Sequence, residues 1–111
     1  MRKALQAAPK QPEILANLAV TLRDLGELKE SVRALKRAVE LRPAFHQAHS
    51  ELGSTLQVAG QPGAAVESYD KALALEARQP GVLSSLGFAC LDLGDPKAAI
   101  EACERCFELD P

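Results

Sequence analysis

A chain of 111 residues, 47% apolar but only 4% aromatic, has the size of a single domain. Its formal net charge of −2 gives no general attraction to nucleic acid or to an anionic membrane, and no stretch approaches the ~18 consecutive apolar residues of a membrane-spanning helix. Three cysteines, an odd number, fit a reducing compartment better than a disulfide framework, and Met1-Arg2-Lys3 leads into no signal-peptide apolar run, so a cytoplasmic location is expected.

In chain order, the first strong pattern runs from Pro12 to Leu25, where Leu15, Leu18, Ala19, Leu22 and Leu25 form one helical stripe. Pro12 suits a first turn, where a missing N–H has no partner to lose. Gly26 stops the helix because it reaches positive φ without steric cost. A second helix is expected from Leu28 to Arg42, burying Val32, Leu35, Ala38, Val39 and Leu41, and Pro43 ends it. The plan recurs with helices at Phe45–Ala59 and Pro62–Ala77, the latter carrying Gly63 at a cost of about 1 kcal/mol in helix propensity. A last pair is expected at Gly81–Leu93 and Pro96–Leu109, the latter opened by Asp95 as cap and Pro96 as first residue. Short turns make neighbouring helices antiparallel, and no strand pattern occurs.

These elements repeat. Gly26, Gly60 and Gly94 stand 34 residues apart, and aligning on them brings Leu18-Ala19, Leu52-Gly53 and Leu86-Gly87 into register. Leu22, Leu56 and Cys90 follow in one column, Ser31, Ala65 and Ala99 in a small-residue column, and then Leu35, Tyr69 and Cys103. Ala38, Ala72 and Cys106 come next, and Pro43 and Pro111 close two of the units. The order aromatic-x2-Leu-Gly-x2-Tyr, Ala-x3-Phe, Pro resembles the tetratricopeptide repeat family. The departures are that no Trp opens a repeat, His49 fills one opening position and Ala77 replaces a closing proline. The resemblance divides the chain into repeats at 12–45, 46–79 and 80–111. Residues 1–11 are then the end of a preceding repeat's second helix with its linker, since Ala4 and Pro9 lie 34 positions before Ala38 and Pro43. The chain reads as a piece of a longer array.

The resemblance implies an all-α, right-handed solenoid of antiparallel helix pairs, a tetratricopeptide superhelix whose first helices line a concave groove. One pair cannot bury its own apolar stripe, so stability comes from stacking. By the family's geometry the groove side carries Glu13, Ala16, Asn17, Val20 and Arg23, then Gln47, Ser50, Glu51, Ser54 and Gln57, then Ser84, Ser85, Phe88 and Leu91. Amides and hydroxyls there suit a peptide backbone, and Phe88 suits an apolar anchor. The expected function is a protein-interaction module for a peptide or partner protein. The alternatives are a substrate-binding or targeting arm of a multidomain enzyme such as a glycosyltransferase, and a self-assembling structural array. Family members that grip the C-terminal carboxylate of heat-shock chaperones use Lys, Asn and Arg where this chain has Ala16, Val20, Glu51, Ser84 and Phe88, so that clamp is not expected. Asn17 matches the asparagine ladder of the nucleocytoplasmic N-acetylglucosamine transferase in one repeat of three.

Cys103-x-x-Cys106 and Cys90 fall in apolar columns and are expected to be buried, reduced and structural. His46 and His49 at i, i+3 have no third ligand near in sequence. No phosphate-cradling loop, nucleophile elbow or unexplained carboxylate pair is present, so neither enzyme activity nor a cofactor or metal is expected. Residues 1–43 carry nine Lys/Arg against five Asp/Glu, and residues 80–111 carry two against six. The acidic end (Glu101, Glu104, Glu108, Asp110) is thus complementary to the basic start (Arg2, Lys3, Lys10). With Ala98, Cys103 and Phe107 forming an uncovered terminal groove, this predicts self-association, either head to tail or through paired C-terminal faces.

Overall fold

The computed structural model describes residues 11–109; the expectation for Met1–Ala8 and the acidic Asp110 lie outside them. Six α-helices make up the described chain: α1 Gln11–Asp24, α2 Leu28–Leu41, α3 His46–Val58, α4 Pro62–Leu75, α5 Pro80–Asp92 and α6 Pro96–Leu109. Within each pair the turn is closed by a glycine at φ +83° (Gly26), +79° (Gly60) or +75° (Gly94). Such a conformation is nearly free for glycine alone. It lets the residue after the glycine bond back five positions, Glu27 N–H to Leu22 O at 2.8 Å, Gln61 to Leu56 at 2.8 Å and Asp95 to Cys90 at 2.9 Å. These bonds satisfy carbonyls that the helix end would leave bare. One turn, three times repeated, therefore sets one antiparallel hairpin geometry.

Between pairs the links are Arg42–Phe45 and Glu76–Gln79. The second lacks the proline of the first, yet α4 stops at Leu75, two residues short of the expected end. The Gln79 side-chain amide donates to Ala72 O at 3.0 Å and Glu76 O at 2.6 Å, capping the helix that no proline closes. At the start of α6, Asp95 caps as expected, its Oδ1 accepting from Ala98 N–H at 3.2 Å.

Each pair packs on the next, α2 against α3 and α4 against α5, while the first helices touch along the stack, α1 with α3 and α3 with α5. The result is an elongated body of 47 × 25 × 19 Å with one core running through all three pairs. Small residues set the approach. Tyr69, 1% exposed, lays its ring on Gly53, where a Cβ would come within 2.6 Å of the ring. At the first joint the contact is polar: the buried Ser31 hydroxyl donates to Ala19 O at 2.7 Å and lies 3.4 Å from Thr55 Oγ1.

Several side chains expected inside are not. Leu18 is 48% exposed, Leu25 72% and Leu41 38%, and Cys103 is exposed as well. A helical stripe identifies an apolar face but not its neighbour. Leu52 and Leu86, in the column of Leu18, are buried at internal joints, whereas among the described residues no helix pair lies before α1 or after α6. The terminal groove is lined by Ala99 rather than Ala98, which turns partly inward onto the core.

Candidate functional site

The first helices α1 and α3, with the link leading into α3, enclose a hollow of about 480 Å³ lined by Glu13, Ala16, Asn17, Val20, Phe45, Gln47, Ser50 and Glu51. Spacing along the helices accounts for it. Glu13, Ala16, Asn17 and Val20 are i, i+3, i+4 and i+7 on α1, and Gln47, Ser50 and Glu51 repeat that face on α3. Because the core uses the other sides of these helices, the groove side is left to polar and small residues.

Both carboxylates of the hollow are faced by arginines. Arg23 Nη2 stands 3.5 Å from Glu51 Oε2, and its Nη1 donates to Thr55 Oγ1 at 3.4 Å. Arg42 Nη1 stands 3.4 Å from Glu13 Oε1, with its guanidinium 5.1 Å from the centre of the Phe45 ring. The first pair bridges two helix pairs and the second ties the end of α2 to α1 within one, so these charges orient one another before any ligand arrives. The Asn17 side chain is exposed, and Ser50 donates its hydroxyl to Gln47 O at 2.8 Å, leaving its oxygen open as an acceptor.

The remaining expected groove residues lie further along the stack. Ser54 and Gln57 are half-buried and tied to the second helix of their own pair, the Tyr69 hydroxyl donating to Gln57 Oε1 at 2.7 Å with Ser54 Oγ at 3.4 Å. Ser84 is exposed, Ser85 half-buried, and Phe88 is 63% exposed. The structure thus gathers Asn17, Val20, Ser50 and Glu51 with Arg23 at their edge, and leaves Ser84, Ser85 and Phe88 outside this hollow. Sequence reasoning missed Phe45 and Arg42. The expected helix Phe45–Ala59 begins one residue later, which leaves Phe45 in the link before α3, where Arg42 meets its ring.

The cysteines and histidines separate rather than converge. Cys90 is buried, and its thiol is pushed up by burial, then by the Asp95 and Asp70 carboxylates. Cys106 is partly buried and donates to Pro80 O at 3.4 Å, while Cys103 is exposed. His49 packs in the core with Nε2 2.9 Å from Pro43 O, filling the opening column of its repeat. Among the described residues no three His, Cys, Asp or Glu side chains gather as metal ligands would, and no helix is long and apolar enough to cross a membrane.

No curated protein matches this chain, but solved structures do. The crystal structure of MamA superposes with a TM-score of 0.89 at 29% identity, covering 99% of this chain and 64% of that one. A further MamA structure gives 0.83 at 23% identity, over 98% and 60%. The chain therefore spans less than two thirds of the length of these two MamA chains. The first TPR of Spaghetti (RPAP3), solved with the HSP90 peptide SRMEEVD, gives 0.88 at 19% identity, over 92% and 81%. The tetratricopeptide repeat profile matches residues 16–81 and again 50–111, so the helix pairs, their glycine turns and this groove are those of a member of the tetratricopeptide repeat family.

Proposed function

We propose that this chain is a protein-interaction module that binds an extended peptide along its concave face, starting in the hollow between α1 and α3 and reaching Phe88 on α5. The observation that carries the reading is that hollow. Ala16 and Phe45 at its floor pack on the core, while the rest of the lining offers amide donors and acceptors at Asn17 and Gln47 between two preset arginine–glutamate pairs. Asn17 and Gln47 suit the peptide backbone, and exposed Phe88 supplies an apolar anchor.

The same residues select against one ligand class. The TPR of Spaghetti was solved with SRMEEVD, which ends in three acidic residues within its last four. Here the hollow presents Glu13 and Glu51, whose arginines are already paired, so a carboxylate-rich tail meets like charge. The preferred peptide is neutral or basic at the end lying between α1 and α3.

Selection of a displayed random-peptide library on this chain tests the reading. Peptides recovered on the wild type are expected to lose binding to the triple variant Asn17→Ala, Glu51→Ala, Phe88→Ala. Phe88→Ala alone should weaken them by about 1–2 kcal/mol, a typical anchor loss. SRMEEVD should not bind. Peptides that bind the triple variant equally well would show that recognition lies elsewhere.

A further inference from the structure

The joint between the first two helix pairs carries a second hollow, of about 410 Å³, which shares no residue with the concave one. Leu28, Val32 and Leu56 give it an apolar floor, and Lys29, Arg33 and Lys36 line it from α2. Among the described residues no carboxylate lines it. Lys29 and Lys36 are exposed and have no ion-pair partner among the described residues, while Arg33 meets Glu30 at 3.0 Å in an exposed pair that binds weakly in water. Gln61, which also lines the hollow, precedes α4 and makes no side-chain cap bond, so the positive end of that helix dipole lies beside the cations.

The fold does not require this arrangement. Residues 34 positions on, at the second joint, are Gly63, Glu67 and Asp70 in place of Lys29, Arg33 and Lys36, and Asp95 in place of Gln61. The reversed charge acts there: after burial, the Asp95 and Asp70 carboxylates push up the thiol of Cys90, which stands in the column of Leu56. Space differs as well. Leu93 replaces Ala59, and its Cδ2 lies 4.0 Å from where a Cβ would sit on Gly63. One joint is thus open and basic, and the next is partly filled and acidic, on the same repeated backbone. Stacking does not cover the open one. Among the described residues the second helices do not touch one another, so the second helix of a pair laid before α1 would meet α1, as α2 meets α3, and not α2.

Spacing sets the form of the partner. Lys29, Arg33 and Lys36 stand at i, i+4 and i+7, about 6 and 4.5 Å apart along the axis of α2. A helix presents carboxylates at the same intervals, whereas an extended chain repeats a face about every 7 Å and falls out of step. The hollow has room for side chains rather than a whole helix, so the partner lies over it and seats apolar residues against Leu28, Val32 and Leu56.

We propose that this joint is a second binding surface, which takes an acidic amphipathic helix of another protein. Its carboxylates run along Lys29, Arg33 and Lys36, and its apolar edge enters the hollow.

Fluorescence anisotropy on the whole chain tests this with a labelled alanine-based peptide about 18 residues long, enough to hold a helix. It carries a row of glutamates at i, i+4 and i+7 with leucines beside them. The peptide should bind, and more weakly at high salt. Lys29→Glu with Lys36→Glu, which gives this joint the sign of the next, should weaken binding at least about tenfold. Ala59→Leu, which copies Leu93, should do the same by filling the hollow with every charge left in place. These positions are exposed or half-buried, and helical circular dichroism should remain. A scrambled peptide of the same composition should bind at least about tenfold more weakly, and SRMEEVD, too short to hold a helix, should not bind. No binding of the helical peptide at low salt overturns the proposal, as does binding that survives either variant. Equal binding of the scrambled peptide or of a single-stranded oligonucleotide overturns it too, being unselective attraction to cations. So does loss of binding in the triple variant of the concave groove with Lys29, Lys36 and Ala59 intact, which would place the helix there instead.

Discussion

Replacing Gly53 by alanine should destabilise the chain, whereas the same change at Gly87, in the same column, should not. In the middle of a helix, alanine is favoured over glycine by about 1 kcal/mol. At Gly53 the new Cβ would stand 2.6 Å from Tyr69 Cε1, 2.7 Å from Cδ1 and 3.0 Å from Cζ. The ring has nowhere to retreat, being 1% exposed and held at its far end by the 2.7 Å bond to Gln57. Overpacking a rigid site costs about 1–3 kcal/mol, so the net change is a loss of up to about 2 kcal/mol. At Gly87 the nearest atom is Cys103 Sγ at 3.3 Å, on an exposed side chain that can rotate away, so the propensity gain of about 1 kcal/mol survives. The first repeat holds Ala19 opposite Leu35 in these columns, so Gly53→Ala with Tyr69→Leu should recover much of the loss. Urea unfolding followed by circular dichroism reads all three. If Gly53→Ala proves as stabilising as Gly87→Ala, the assignment of that glycine to ring packing is wrong.

Gly94→Ala meets nothing within 4 Å but forces alanine to φ +75°, so backbone strain alone should cost about 1–2 kcal/mol in thermal unfolding. Ser31→Ala removes a buried hydroxyl whose column holds alanine in the other two repeats; the lost bond should cost about 1 kcal/mol by the same measurement. Burial raises the Asp70 carboxyl above its ordinary 3.8 despite the opposing pull of Arg105. Its contribution to stability is then fully present below pH 3.8 and is lost as pH rises through the higher folded value. Asp70→Asn should flatten that decline in a melting-temperature scan against pH, and an unchanged slope would count against the assignment. Alkylation with iodoacetamide should reach Cys103 first and Cys90 only on unfolding, since Cys103 is exposed while burial both covers Cys90 and pushes its thiol up; mass spectrometry of partly labelled protein reads the order.

The sequence alone was enough to determine the repeat, the helix pairs and the glycine turns. All three are local properties: a stripe of apolar residues, a residue able to reach positive φ, a proline or an aspartate at a helix start. The groove face was legible for a related reason, since the polar residues the core does not need fall on one side of α1 and α3. Only the tertiary structure decided which members of an apolar stripe are covered. Leu18 and Leu52 are the same residue in the same column, yet one is half exposed and the other buried, because burial depends on the helix pair laid against them. Cys103 is exposed for the same reason while Leu35 and Tyr69 are not. The pairing of Arg23 with Glu51 and of Arg42 with Glu13 likewise became visible only when helices 28 and 29 residues apart in sequence were brought side by side. The first contact depends on the stacking angle between repeats and the second on the packing within one pair, each a sum of many side-chain volumes that no single column encodes.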